Sequence, residues 1–110
     1  MPATPKVLGQ AKPAAATLTD AYTVPASTTA TVSTLIVSNQ SSDATEFRVS
    51  IAVAGAADSA EQYIYYDITI PGNETFAATI GITLAATDVV RVYNELATLS
   101  FSLFGVEATS

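Results

Sequence analysis

Thr45-Glu46-Phe47-Arg48-Val49-Ser50-Ile51-Ala52-Val53 alternates large apolar residues with polar or small ones. Phe47, Val49, Ile51 and Val53 fall on one side of an extended chain and Glu46, Arg48, Ser50 and Ala52 on the other, the period of a half-buried strand. The same period returns at Leu99 to Val106, where Leu99, Phe101 and Leu103 alternate with Ser100 and Ser102. Both runs need the same core, and the second is expected to be the partner of the first.

Outward from this pair, the chain is a succession of short β-prone runs separated by turn chemistry. Ala30 to Asn39 is rich in β-branched residues, but Val32 lies on one parity and Leu35 and Val37 on the other; a bulge near Ser33-Thr34 would restore all three to one face. Thr17 to Val24 is an earlier strand stopped by Pro25. Asn39 to Asp43 is a polar loop, and Ala54 to Ala60 a second loop of small residues that could be mobile.

Glu61 to Ile70 is aromatic on both parities, with Tyr63, Tyr65 and Asp67 on one and Ile64, Tyr66, Ile68 and Ile70 on the other. With the second set in the core, Tyr63 and Tyr65 form an outward contact surface; the alternative is that they pair with neighbouring strands. Pro71-Gly72-Asn73 suits a type II turn. Phe76 to Ile80, Ile82 to Leu84 and the Val90/Val92 alternation complete the set.

About seven or eight short strands at about ten-residue spacing form the pattern of an antiparallel sandwich or small barrel. The expected fold is therefore all-β, an immunoglobulin-like or jelly-roll-like β-sandwich spanning residues 17–110. Residues 1–16 carry Pro2, Pro5 and Pro13 and are expected to be an extended arm, with Val7 and Leu8 available to bury on a neighbour.

Composition narrows the chemistry. The 110 residues include no cysteine and no histidine, which removes disulfides, thiolate catalysis, the usual general base near neutral pH and the commonest zinc ligand. A hydrolase or metalloenzyme is not expected, and no cofactor is implied. Ten acidic against four basic residues give a net charge of -6, and Lys6, Lys12, Arg48 and Arg91 are scattered, so neither nucleic acid nor an anionic membrane is an expected partner. No apolar run is long enough to span a bilayer, and Met1 to Gln10 lacks the apolar core of a signal peptide. With 49% apolar and only 13% charged residues, the surface suits a protein packed against neighbours.

Asp58, Glu61 and Asp67 are the nearest approach to an acidic cluster, but their spacing matches no EF-hand and they read as solvated carboxylates. Asn39-Gln40-Ser41 and Asn73-Glu74-Thr75 fit the glycosylation acceptor pattern. Asp88, in a polar corner between two aliphatic runs, is expected to bond backbone N–H groups of its turn.

Three stretches then carry a resemblance: Tyr22-Thr23-Val24-Pro25 with the Thr-rich run to Asn39; Phe47-Arg48-Val49 with Tyr63 to Asp67; and Gly81 to Leu84, Asp88 to Val92 and Leu99 to Gly105. In this order they resemble small β-domain virion structural proteins of tailed bacteriophages. The resemblance implies a non-enzymatic protein, made in the host cytoplasm and present in many copies on the virion. It implies first a capsid decoration or cement protein, trimeric at quasi-threefold positions, whose arm lies across the major capsid protein. On that reading Pro5, Val7, Leu8, Tyr63 and Tyr65 are interface residues, and deletion of residues 1–12 leaves the domain folded but abolishes particle binding. Alternatives are a neck, collar or tail-fibre attachment component contacting other virion proteins, or a host-surface or carbohydrate-binding sandwich with Tyr63, Tyr65 and Tyr93 as a stacking platform.

Overall fold

A computed structural model describes residues 3–109 as eight antiparallel strands in two four-stranded sheets. The strands are β1 (Ala3–Ala11), β2 (Thr19–Thr23), β3 (Thr28–Asn39), β4 (Thr45–Ala52), β5 (Tyr63–Ile70), β6 (Thr75–Leu84), β7 (Val89–Asn94) and β8 (Leu99–Thr109). One sheet has the order β1-β8-β3-β6 and the other β2-β7-β4-β5. β1 pairs with β8, β2 with β7, β3 with β6 and β4 with β5. The chain is thus one long antiparallel hairpin, with its tip between β4 and β5, rolled so that successive rungs alternate between the two sheets. That connectivity makes the sandwich a jelly roll and decides between the two expected topologies.

The core lies between the sheets. Val32, Leu35 and Val37 of β3, Phe47 and Val49 of β4, Val90 and Val92 of β7, and Leu99, Phe101 and Leu103 of β8 are all 2% exposed or less. The register slips between Val32 and Thr34, leaving Ser33 as the extra residue; the expected bulge places Val32, Leu35 and Val37 in one core. Thr45–Ala52 and Leu99–Thr109 do share that core, but as facing strands of opposite sheets rather than as neighbours in one. The Phe47 and Phe101 rings meet edge-on across it, centroids 6.0 Å apart.

Two expectations are corrected. Ala3–Ala11, expected within a free arm, pair with β8 as an edge strand, and Leu8 is 8% exposed in the chain's own core. Pro5 is tolerated because an edge strand leaves one row of N–H groups unpaired. Met1, Pro2 and Ser110 lie outside the described residues. The second correction is at the end of β4, where Val53 leaves the strand for a 3-10 turn (Val53–Gly55) and is 68% exposed, while Ile51 is half-buried. Ser50 and Ala52, expected outward, are wholly buried.

The segment between β4 and β5, which includes the expected mobile loop, is tied down. Arg91 donates from Nη1 to the Ala56 carbonyl at 2.8 Å and pairs through Nε with Asp20 at 3.0 Å. Asp88 accepts the Ala54 N–H and the Ala85 N–H, both at 2.9 Å, which is the backbone-bonding role expected of it.

Candidate interaction surface

The outer face of the β2-β7-β4-β5 sheet brings Arg48, Tyr63, Tyr66, Asp67 and Tyr93 together, and its geometry starts from irregularities in β5. Val49 pairs with Tyr65 but Ser50 with Tyr63, leaving Ile64 as an extra residue; Phe47 pairs with Ile68, so that Tyr66 and Asp67 together oppose Arg48. Asp67 takes a φ of 54°, the left-handed conformation that asparagine and aspartate tolerate better than most residues. These two slips turn Tyr63 outward, Tyr65 inward, Tyr66 outward and Ile68 inward again.

Sequence parity puts both Tyr63 and Tyr65 on the outer side; the Tyr63 ring does turn outward, whereas Tyr65 turns to the core. Tyr65 packs on the core, its ring centroid 6.1 Å from Phe47 and 5.5 Å from Phe76. Tyr66, 56% exposed, occupies the outer position in its stead. The signal available was Asp67 itself, a short polar residue interrupting a run of aromatics and isoleucines.

Arg48 stands at the centre of the face. Across β4 on one side it opposes Tyr93 of β7, and on the other Tyr66 and Asp67 of β5. Its guanidinium carbon lies 4.2 Å from the Tyr66 ring centroid and 4.7 Å from that of Tyr93. Arg48 Nε donates to Asp67 Oδ1 at 2.6 Å, and this bond raises the guanidinium pKa above its already high range. Tyr63 meets Tyr66 edge-on at 5.2 Å, and its phenol pKa is raised by burial and then by the nearby Asp58 carboxylate. The result is a row of rings and guanidinium held in a fixed order, each cation–π contact worth about 0.5–1 kcal/mol at such an exposed site.

Carboxylates flank the row. Oxygens of Glu46, Asp67 and Glu95 lie within 4.8 Å of one another, beside an open concavity lined by Ala44, Thr45, Glu46, Thr69, Glu95 and Leu96. Asp58, Glu61 and Asp67, which read from sequence as solvated carboxylates, form no cluster: Glu61 is bonded by the Ser59 hydroxyl at 2.6 Å, Asp58 sits by Tyr63, and Asp67 is bonded by Arg48. Asn39, in one glycosylation triplet, is 2% exposed and donates from Nδ2 to the carbonyls of Asp43, Ile70 and Pro71, so it acts as an internal brace.

The remaining expected interface residues are separate from this face. Pro5 and Val7 are exposed on β1, in the other sheet, and Leu8 is internal. No protein-family model matches the chain, and no curated protein matches it in sequence.

Proposed function

We propose that the chain is a non-enzymatic structural component of a virion, docking on a protein partner through the Tyr63, Tyr66, Arg48 and Tyr93 face. The observation that carries this reading is the Arg48 guanidinium held between Tyr66 and Tyr93. Tyrosine and arginine dominate the energetic centres of protein interfaces. Ordering them before contact lowers the entropy cost of association. The jelly roll is shared by viral capsid and lectin domains, so the fold is compatible with the virion reading and supports it only by analogy.

Within this reading a capsid decoration protein bound to the major capsid protein comes first, and a neck, collar or tail-fibre attachment component second. Contact is assigned to the sheet face rather than to residues 1–16, because Ala3–Ala11 are already engaged by β8. The carbohydrate-binding alternative is less favoured. Sugar stacking needs open ring faces, yet Arg48 lies over both Tyr66 and Tyr93, and Tyr65 is turned to the core.

Proteomics of purified virions from the virus that encodes the chain is expected to find it in many copies. Titration onto particles lacking it should show the Tyr66→Ala/Tyr93→Ala variant binding about thirtyfold more weakly, the scale of an interface hot spot of about 2 kcal/mol. Absence from the particles, or unchanged saturation by the variant, would overturn the proposal. Selective binding to an oligosaccharide array would favour the lectin-like alternative.

A further inference from the structure

The two sheets have four edges, and three of them carry features that discourage pairing with another chain. β1 has Pro5 and Lys6; β2 is only five residues long and includes Asp20; β5 has two register slips and the left-handed Asp67. β6 differs. Thr75-Phe76-Ala77-Ala78-Thr79-Ile80-Gly81-Ile82-Thr83-Leu84 is ten residues long with no charge and no proline. It pairs with β3 on one side, and among the described residues no strand pairs with the other. A register slip in its pairing with β3 lies opposite Ile80-Gly81, but exposure still alternates without a break from Thr75 to Thr83.

We propose that β6 is a self-association edge, pairing antiparallel with β6 of a second copy to join two four-stranded sheets into one of eight. The argument for a second copy is the complementarity of this strand with itself. An antiparallel register centred on Thr79 sets Phe76 opposite Ile82 and Ala78 opposite Ile80 on the core side, where all four are half-buried at an open rim. On the outer side the same register sets Thr75 opposite Thr83, Ala77 opposite Gly81, and Thr79 opposite its own copy. Apolar residues meet apolar ones, threonines meet threonines, and no like charges face each other despite the net charge of -6. At Gly81 an added Cβ would meet nothing within 4 Å, so nothing covers the outer face of the strand there.

The contact is isologous and two-fold, unlike the trimer that the phage resemblance implies. It uses the sheet opposite the Arg48 face, so both surfaces can be engaged together. One strand pair is smaller than a standard interface, which places the free dimer in the weak range and makes it effective chiefly where many copies are held close together.

Light scattering over a concentration series, up to about 1 mM chain, tests the pairing. Wild type is expected to shift from one chain mass to two, with the amides of residues 75–84 gaining protection from hydrogen exchange over the same range. Thr79→Lys, at an exposed position, should raise the dimer dissociation constant about tenfold or more by setting like charges at the two-fold axis, and Thr79→Glu should do the same. Mixing the two variants should restore the dimer. Wild type that stays monomeric overturns the proposal and leaves the edge to a strand of another protein. A trimer, or a dimer indifferent to both charges and without protection at β6, overturns it as well.

Discussion

Phe47 is wholly buried and touches aromatic rings on three other strands, Tyr65 of β5, Phe76 of β6 and Phe101 of β8. Its removal leaves a void between sheets that are held at a fixed spacing by everything else, so Phe47→Ala is expected to cost about 3–5 kcal/mol. The urea midpoint checks this, and an unchanged midpoint would mean that the residue does not face the core. Glu107 gives a pH-dependent counterpart. Its Oε2 accepts the Tyr22 hydroxyl at 2.5 Å and its Oε1 pairs with Lys6 at 3.2 Å. The Tyr22 bond, then Lys6, lower its pKa from 4.5. The unfolded chain therefore takes up this proton first on acidification. The stabilisation is complete above pH 4.5 and is lost as pH falls through the lower folded value. Tyr22 mirrors it: burial and the same bond raise its pKa from 10.0, so its share is complete below that pH and is lost above it. Glu107→Gln should lower stability at neutral pH and flatten the decline below pH 4.5, read from urea midpoints across the acid range. A decline as steep as in wild type would assign acid sensitivity to other carboxylates.

At the scale of the strand, β1 changes the expected outcome of truncation. Removing residues 1–12 takes Leu8 out of the core and strips β8 of one of its two partners, leaving it paired with β3 alone, so the truncated chain is expected to melt at a lower temperature than the intact one. Leu8→Ala alone should cost about 2–3 kcal/mol. A truncated domain with an unchanged melting temperature would return these residues to the status of a free arm. The strand was hard to recognise because its one proline, Pro5, argues against a central position while leaving an edge position open. β3 was easier: three aliphatic residues on two parities could share a core only if the strand bulged, and it does. β5 resisted the same logic because tyrosines and isoleucines on both parities can satisfy either register. The choice falls to the backbone at Ile64 and Asp67, where β4 has no matching extra residue. The Arg48 row depends on that choice, since without the slip at Asp67 the outward ring would be Tyr65.

For the molecule as a whole, a single cluster drawn from both sheets holds the jelly roll together, from Leu8 near one terminus to Leu103 near the other. One shared core should unfold in one step, so tyrosine fluorescence and far-ultraviolet circular dichroism are expected to give coincident urea transitions. Separate transitions would show that the sheets are independently stable. The all-β class, most strand positions, the backbone-bonding role of Asp88 and the lack of cysteine and histidine were legible along the chain alone. These follow from residue type and a period of two, both of which are local. That β4 and β8 face each other from opposite sheets, that β1 belongs to the domain, and that Arg48, Tyr66 and Tyr93 meet on one face emerge only from the folded arrangement. Alternation states which side of a strand turns inward but not which strand lies beside it. That second choice is made when the rolled hairpin closes, and the outer-face cluster and the open β6 edge both follow from it.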